Sequence, residues 1–308
     1  MKKIVFLLLF NFLLSMGYSQ SNIRLNNYWE NTYYINPASI YSEYQFVASV
    51  AGRKQWIGFP GAPETEFITF AAKLFTNKTQ DTQIGQMGLK IYRDKIGFTN
   101  LVNISPSYSY SLRMHDDKRM NLGFSYKIQS ISYDISKSNQ ETIGDPAIYA
   151  NETKWGGHNL DIGVEFISNS MIVGASSQNF ISLFTKEDYL QTNTNFLYGM
   201  YRTEMDNIFN LLLGVAAIKN KNMYQAEFNV SVTAHSRSNP DFQLGFFYRT
   251  KKEFGVLYGI DISSAIRLAC SYNYHVGGIS HSSYGTPELL LIWKFGKISN
   301  CDCLKLYK

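Results

Sequence analysis

Between residues 44 and 295 apolar and polar side chains alternate with a period of two, in runs broken by clusters of Gly, Asn, Asp, Ser and Lys. The run from Met223 to Ala234 is the clearest: Tyr224, Ala226, Phe228, Val230 and Val232 share one face, and Gln225, Glu227, Asn229, Ser231 and Thr233 the other. Leu122, Phe124, Tyr126 and Ile128 stand opposite Asn121, Ser125, Lys127 and Gln129 in the same manner, and Leu160, Ile162, Val164 and Phe166 opposite Asn159, Asp161, Gly163 and Glu165. Leu268, Cys270, Tyr272 and Tyr274 repeat it, and Leu289, Leu291, Trp293 and Phe295 close the series. The pattern predicts about fourteen strands, starting near residues 44, 64, 84, 98, 118, 157, 170, 194, 208, 222, 240, 253, 264 and 285. Those near 170, 194 and 208 alternate poorly, since Leu211, Leu212 and Leu213 run together. A short helix or turn is expected only at 185–190.

Two architectures bury alternating strands: a soluble sandwich or barrel with an apolar core, and a transmembrane barrel with an apolar exterior. A closed sheet of about fourteen strands is too wide to fill with its own side chains, which favours the polar, hydrated or plugged interior of the second. Composition points the same way. There are 22 Tyr, 21 Phe and 4 Trp beside only 7 Pro, and charged residues are 17%. Tyr92, Tyr108, Tyr110, Tyr248, Tyr258, Tyr272, Tyr274 and Trp293 are placed to form interfacial girdles. The expected fold is therefore all-β, an antiparallel transmembrane barrel.

The first residues read as an export signal. Lys2 and Lys3 precede an apolar stretch over 4–14, and Gly17-Tyr18-Ser19 supplies small residues at the −3 and −1 positions before Gln20. The expected organisation is a signal peptide at 1–19, a periplasmic segment at 20–43, the barrel at 44–296 and a tail at 297–308. Without Lys2 and Lys3 the balance is 27 basic against 24 acidic side chains, +3 rather than +5, which is no nucleic-acid footprint.

Candidate chemistry is sparse. Three cysteines, Cys270, Cys301 and Cys303, are too few for a disulfide framework, and Cys301-Asp302-Cys303 offers two of the roughly four ligands a metal site wants. Neither a metal nor a cofactor is expected. No H-E-x-x-H, P-loop, nucleophile elbow or dinucleotide fingerprint occurs. Asp161 and Glu165 share a strand face at a spacing that could serve acid and base roles, but a polar lumen needs such charges anyway. Glu227, Arg249, Arg267 and Asp261 read the same way, as lumen-facing groups that could line a pore. An outer-membrane hydrolase is left open, because Ser and His partners can meet from distant strands.

Three segments carry a resemblance. Tyr34-Ile35-Asn36-Pro37-Ala38 precedes the first strand. Arg53-Lys54-Gln55-Trp56-Ile57-Gly58-Phe59-Pro60-Gly61-Ala62-Pro63-Glu64-Thr65 forms the first hairpin, and Arg93-Asp94-Lys95-Ile96-Gly97 ends the third strand. In this order and spacing they resemble the PorP/SprF family of outer-membrane proteins of the Bacteroidetes type IX secretion system. Arg93 stands where that family commonly has Asn, and Ile35 replaces a polar or aromatic residue. Asn36, Pro37, Gly58, Gly61, Pro63 and Gly97 are the structural residues of the shared elements, consistent with ordered turns.

The resemblance implies a non-enzymatic role in exporting or surface-anchoring an adhesin. Its partners would be the C-terminal region of that adhesin, periplasmic ring and motor components, and outer-membrane lipid. A passive porin or hydrophobic-solute channel is the alternative. Up-and-down strand order would set the connections at 55–63 and 94–97 side by side at one rim. Arg53, Trp56, Arg93, Asp94 and Lys95 are therefore expected to converge there on a partner segment, unless Arg53 merely pairs with Asp94 and Trp56 caps the interfacial belt.

Overall fold

The computed structural model describes residues 25–40, 44–74, 83–114, 118–133, 155–185, 191–206, 208–221, 223–235, 240–250, 252–277 and 283–297. The expected leader at 1–19, residues 134–154, the tail with Cys301 and Cys303, and most of the helix expected at 185–190 lie outside these residues. The chain there makes a single 3-10 turn at Phe180–Leu183, just before that expected helix.

Fourteen antiparallel strands form one closed barrel in sequence order, each paired with its neighbours in the chain. They are β1 (Tyr44–Lys54), β2 (Glu64–Lys73), β3 (Gln83–Ile96), β4 (Thr99–Arg113), β5 (Arg119–Tyr133), β6 (Trp155–Ile167) and β7 (Met171–Gln178). There follow β8 (Thr194–Glu204), β9 (Phe209–Asn220), β10 (Met223–Ala234), β11 (Phe242–Arg249), β12 (Glu253–Ser263), β13 (Ile266–His275) and β14 (Thr286–Lys297). Each begins within two residues of the position expected from alternation. Pairing of β1 with β14, which sets Arg53 opposite Glu288, closes the sheet and leaves no edge strand.

The two faces are inverted relative to a soluble core. Leu122, Phe124, Tyr126 and Ile128 on β5 all point outward and are exposed, whereas Asn121, Ser125, Lys127 and Gln129 between them are buried inside. On β10, Phe228 and Val230 are exposed while Glu227, Asn229 and Ser231 are buried. An apolar exterior over a polar interior is favourable only where the surrounding solvent is hydrocarbon. None of the described helices is long and apolar enough to cross a membrane, so the strands do the crossing.

Apolar residues also face inward on several strands, among them Val47, Phe67, Phe247, Leu257, Leu290 and Ile292, and on β8 and β9 they have a clear physical reason. The inward faces of β8 and β9 carry Phe196, Tyr198, Met200, Ala216 and Ile218, all buried in one cluster with Leu25, Tyr28, Trp29 and Ile35. Both faces are apolar here, which is why alternation was faint near 194 and 208. Tyr92 also departs from the expected girdle. It shares parity with Lys90 and Asp94, so it points inward, and its hydroxyl donates to Gln191.

Candidate functional site: a lumen filled by the N-terminal segment

Residues 25–40, expected as a periplasmic segment, lie inside the barrel. Two 3-10 turns, Asn26–Trp29 and Thr32–Tyr34, compact the segment. All but one of its residues are buried. The turns consume part of the segment's own backbone polarity, and the wall supplies partners for the N–H groups of Asn26 and Asn27 and for the carbonyls of Ile35, Pro37 and Ser39, as a buried irregular backbone requires.

The first half of this plug meets charged groups. Glu288 on β14 accepts the backbone N–H of Asn26 at 2.7 Å and of Asn27 at 2.8 Å. Trp29 Nε1 donates to Glu227 Oε1 at 2.6 Å, and the other oxygen of Glu227 accepts from Arg249 Nε. Arg249 also donates to Asn26 Oδ1 at 2.8 Å and meets Glu253 at 3.2 Å. Glu30 pairs with Arg267 at 2.9 Å, and Arg267 reaches Asp261 at 3.0 Å. Glu227, Arg249 and Arg267 thus occupy the interior and grip the plug or the groups that do.

The second half meets mainly neutral groups and bare backbone, with the Lys90 ammonium 5.6 Å from the Tyr33 ring centroid as the exception. Asn36 Nδ2 donates to the Val164 carbonyl and to the Tyr198 hydroxyl, both at 3.0 Å, while its Oδ1 accepts the Ala38 N–H at 2.9 Å. Tyr198 in turn donates to Glu165 at 2.5 Å. The Pro37 carbonyl accepts from Ser109, the Ile35 carbonyl from Ser176 at 2.7 Å, and the Tyr33 hydroxyl shares a 2.5 Å hydrogen bond with Ser107. Such close approach needs inward positions without a side chain. A Cβ on Gly163 would lie 1.9 Å from Asn36 Oδ1, and one on its register partner Gly123 would lie 2.4 Å from the Ala38 nitrogen. A Cβ on Gly88 would lie 2.0 Å from the Tyr33 hydroxyl.

Asp161, four residues before Glu165 on β6, has different company. Lys127 lies 3.0 Å and Lys90 3.4 Å from its carboxylate, which also accepts the Asn179 N–H at 2.9 Å. Sequence reasoning placed Lys127 on the inward polar face but missed Glu288, Glu30 and Lys90 as members of this interior. The inward glycines were the available signal for the plug, since a glycine within a strand marks close approach by another backbone.

At the rim, the connections carrying two of the sequence elements do lie side by side. Gly97 N–H donates to the Gly61 carbonyl at 3.0 Å, and both glycines take left-handed backbone (φ +58° and +71°) that a side chain would strain. Gln55 N–H closes the hairpin onto the Pro63 carbonyl at 2.8 Å, and Gly58 also takes positive φ. Residue 57 pairs with 284 and 285, tying this hairpin to the connection before β14. Trp56 adopts φ +53°, uncommon for a bulky residue, and its N–H donates to Thr286 Oγ1 at 3.1 Å.

The five candidate rim residues do not share a face. Arg53 and Asp94 point inward, where Arg53 lies 3.9 Å from Glu288 and Asp94 accepts from Thr65 at 2.6 Å. Arg93 and Lys95 belong to the outward parity with Glu64 and Glu66, and Arg93 lies 3.8 Å from Glu66. Three consecutive strand residues cannot face one way. Among the described residues no group of three or more His, Cys, Asp or Glu side chains could hold a metal ion, and Cys270 is a free thiol.

The family described as "Type IX secretion system membrane protein PorP/SprF" matches residues 17–293. No curated protein matches the chain significantly. Among solved structures, the Ralstonia pickettii toluene transporter TbuX shares the fold at 7% identity with a TM-score of 0.53, covering 85% of this chain and 92% of that one. The Acinetobacter baumannii outer membrane protein Omp33 (8% identity, TM-score 0.47, 82% and 99% covered) and the Pseudomonas putida toluene transporter TodX (8%, 0.46, 89% and 94%) are more distant in shape.

Proposed function

The chain belongs to the PorP/SprF family of type IX secretion system membrane proteins, and from that premise we propose that it works as a closed accessory barrel. It is an outer-membrane β-barrel of a non-enzymatic family. In the proposed role it binds an adhesin-type substrate, through that substrate's C-terminal region, and helps export it or hold it at the cell surface. Periplasmic ring and motor components are its neighbours. The substrate is handled at a mouth and does not pass through the lumen.

One observation carries this reading: residues 25–40 fill the interior and are hydrogen-bonded to strands around most of its circumference. The hairpin at 55–63 is the proposed contact surface. Its loop is ordered by the Gly61–Gly97 hydrogen bond, and Trp56 is held in a backbone conformation that costs about 1–3 kcal/mol, an expense that tends to persist at functional surfaces. Trp56, Arg93 and Lys95 would meet the partner, while Arg53 and Asp94 would support the loop from within. In a deletion strain, surface proteomics should show loss of one adhesin while other type IX cargo persists. Trp56→Ala should lower retention of that adhesin without lowering barrel abundance. An unchanged surface proteome would refute the proposal.

A second reading, a hydrophobic-solute channel, is favoured by the fold shared with TbuX, and that likeness supports transport through a barrel more directly than adhesin handling. It requires the plug to move aside. Measurable conductance or toluene uptake by the intact barrel in liposomes would favour the channel, and a silent bilayer would favour the closed accessory role.

A further inference from the structure

A small cavity inside the barrel is lined by Lys90, Lys127, Asp161 and Ser105, with Tyr34 of the plug on one side and Gln191 on another. Its volume is about 20 Å³, enough for one particle the size of a water molecule, which needs about 10–15 Å³.

Among the described residues, the charges around it do not balance. Two ammonium groups share one carboxylate, and all three side chains are almost fully buried. Lys127 is well satisfied, at 3.0 Å from Asp161 and 2.7 Å from Asn179 Oδ1. Lys90 is not: among the described residues its three N–H donors meet only the 3.4 Å contact to Asp161, with the Tyr33 ring centroid 5.6 Å away. Glu165 and Asp94 are the next inward acids along β6 and β3. Each lies four residues further on, roughly 13 Å along the strand, too far to make a contact pair. Independently, the Ser105 hydroxyl is buried, lines the same cavity and has no hydrogen-bond partner. The buried hydroxyl calls for a hydrogen-bond acceptor, and the buried cation in excess calls for that acceptor to carry negative charge.

We propose that this cavity binds a single monatomic anion of halide size, chloride in ordinary media, held by Lys90, Lys127 and Ser105. Phosphate, sulfate and organic carboxylates are too large for it. The bound ion completes the charge of the cluster. Because Tyr34 forms part of the wall, the ion also fastens the second half of the plug to β3, β4 and β5.

The test uses the full-length barrel purified in detergent. Crystals grown in sodium bromide should show an anomalous bromide peak between Lys90 and Ser105. Thermal unfolding, followed at fixed ionic strength while sodium gluconate is exchanged for sodium chloride, should show a saturable rise in midpoint with chloride or bromide and none with sulfate. Lys90→Met should abolish the rise. If that variant fails to fold, Ser105→Ala keeps the test, because it retains the charges and should weaken apparent chloride affinity about tenfold. Equal midpoints in chloride and gluconate, an empty anomalous map at the cavity, or a chloride effect undiminished in Ser105→Ala would each overturn the proposal.

Discussion

The plug is seated by two different kinds of chemistry. Residues 26–30 sit among Glu227, Arg249, Arg267 and Glu288, where charge-assisted hydrogen bonds do the holding. Residues 33–39 sit on β3 to β8 among hydroxyls, amides and carbonyls, against wall positions that glycine keeps open. The charged half tolerates small shifts, because Coulomb attraction falls off gradually with distance. The neutral half does not, because a steric fit fails over a fraction of an ångström. The first half therefore supplies strength and the second supplies register. Asn36-Pro37-Ala38, the sequence element that stood out before the first strand, lies in the half where position matters.

This contrast can be broken most severely at Glu227. Glu227→Gln leaves Arg249 with Glu253 as its remaining carboxylate and takes the anionic acceptor from Trp29. Loss of one member of a buried pair typically costs about 3–5 kcal/mol. The expected outcome is a large fall in the thermal midpoint of the detergent-solubilised barrel, together with protease access to residues 25–40.

Gly163→Ala comes next. The added methyl would overlap Asn36 Oδ1, and the cost expected for overpacking is about 1–3 kcal/mol. Gly52→Ala is the matched control, since a Cβ there meets nothing within 4 Å. Limited proteolysis of the N-terminal segment should rise for the first and not for the second. Comparable proteolysis in both would mean that steric fit does not set the register.

Asn36→Ala removes two donated hydrogen bonds and one accepted, and should cost about 1.5–3 kcal/mol at roughly 0.5–1 kcal/mol net for each. Its effect should persist in high salt. The loss from Glu227→Gln concerns charges the wall also buries, so salt should change it little as well. By contrast the exposed Lys54–Glu64 pair at 2.8 Å is open to screening. Lys54→Ala should change stability by less than about 0.5 kcal/mol, the smallest effect of the set, and that difference should vanish at high ionic strength. A larger loss would mean that the rim, and not the plug, governs stability.

Strand positions were legible because each depends only on neighbours two residues apart. The inward placement of Asp161, Glu165, Glu227, Arg249 and Arg267 could be read from parity for the same reason. Residue type places Tyr92 in the girdle, but its parity with Lys90 and Asp94 turns it inward. The rim illustrates the same lesson. Arg93, Asp94 and Lys95 are adjacent in sequence and therefore cannot converge, although the turn that follows them does touch the 55–63 hairpin.

Alternation along the chain, by itself, determined a closed antiparallel sheet with one apolar and one polar face, because a period of two is a local property of extended backbone. It could state which side chains share a face and not what stands opposite them. Only the tertiary structure decided that the interior is filled by the chain's own residues 25–40, since the contacts that hold them, such as Asn26 with Glu288, join positions 262 residues apart. Those contacts exist because barrel closure brings the wall around a segment that precedes it, and the inward glycines acquire their meaning only once that segment is in place.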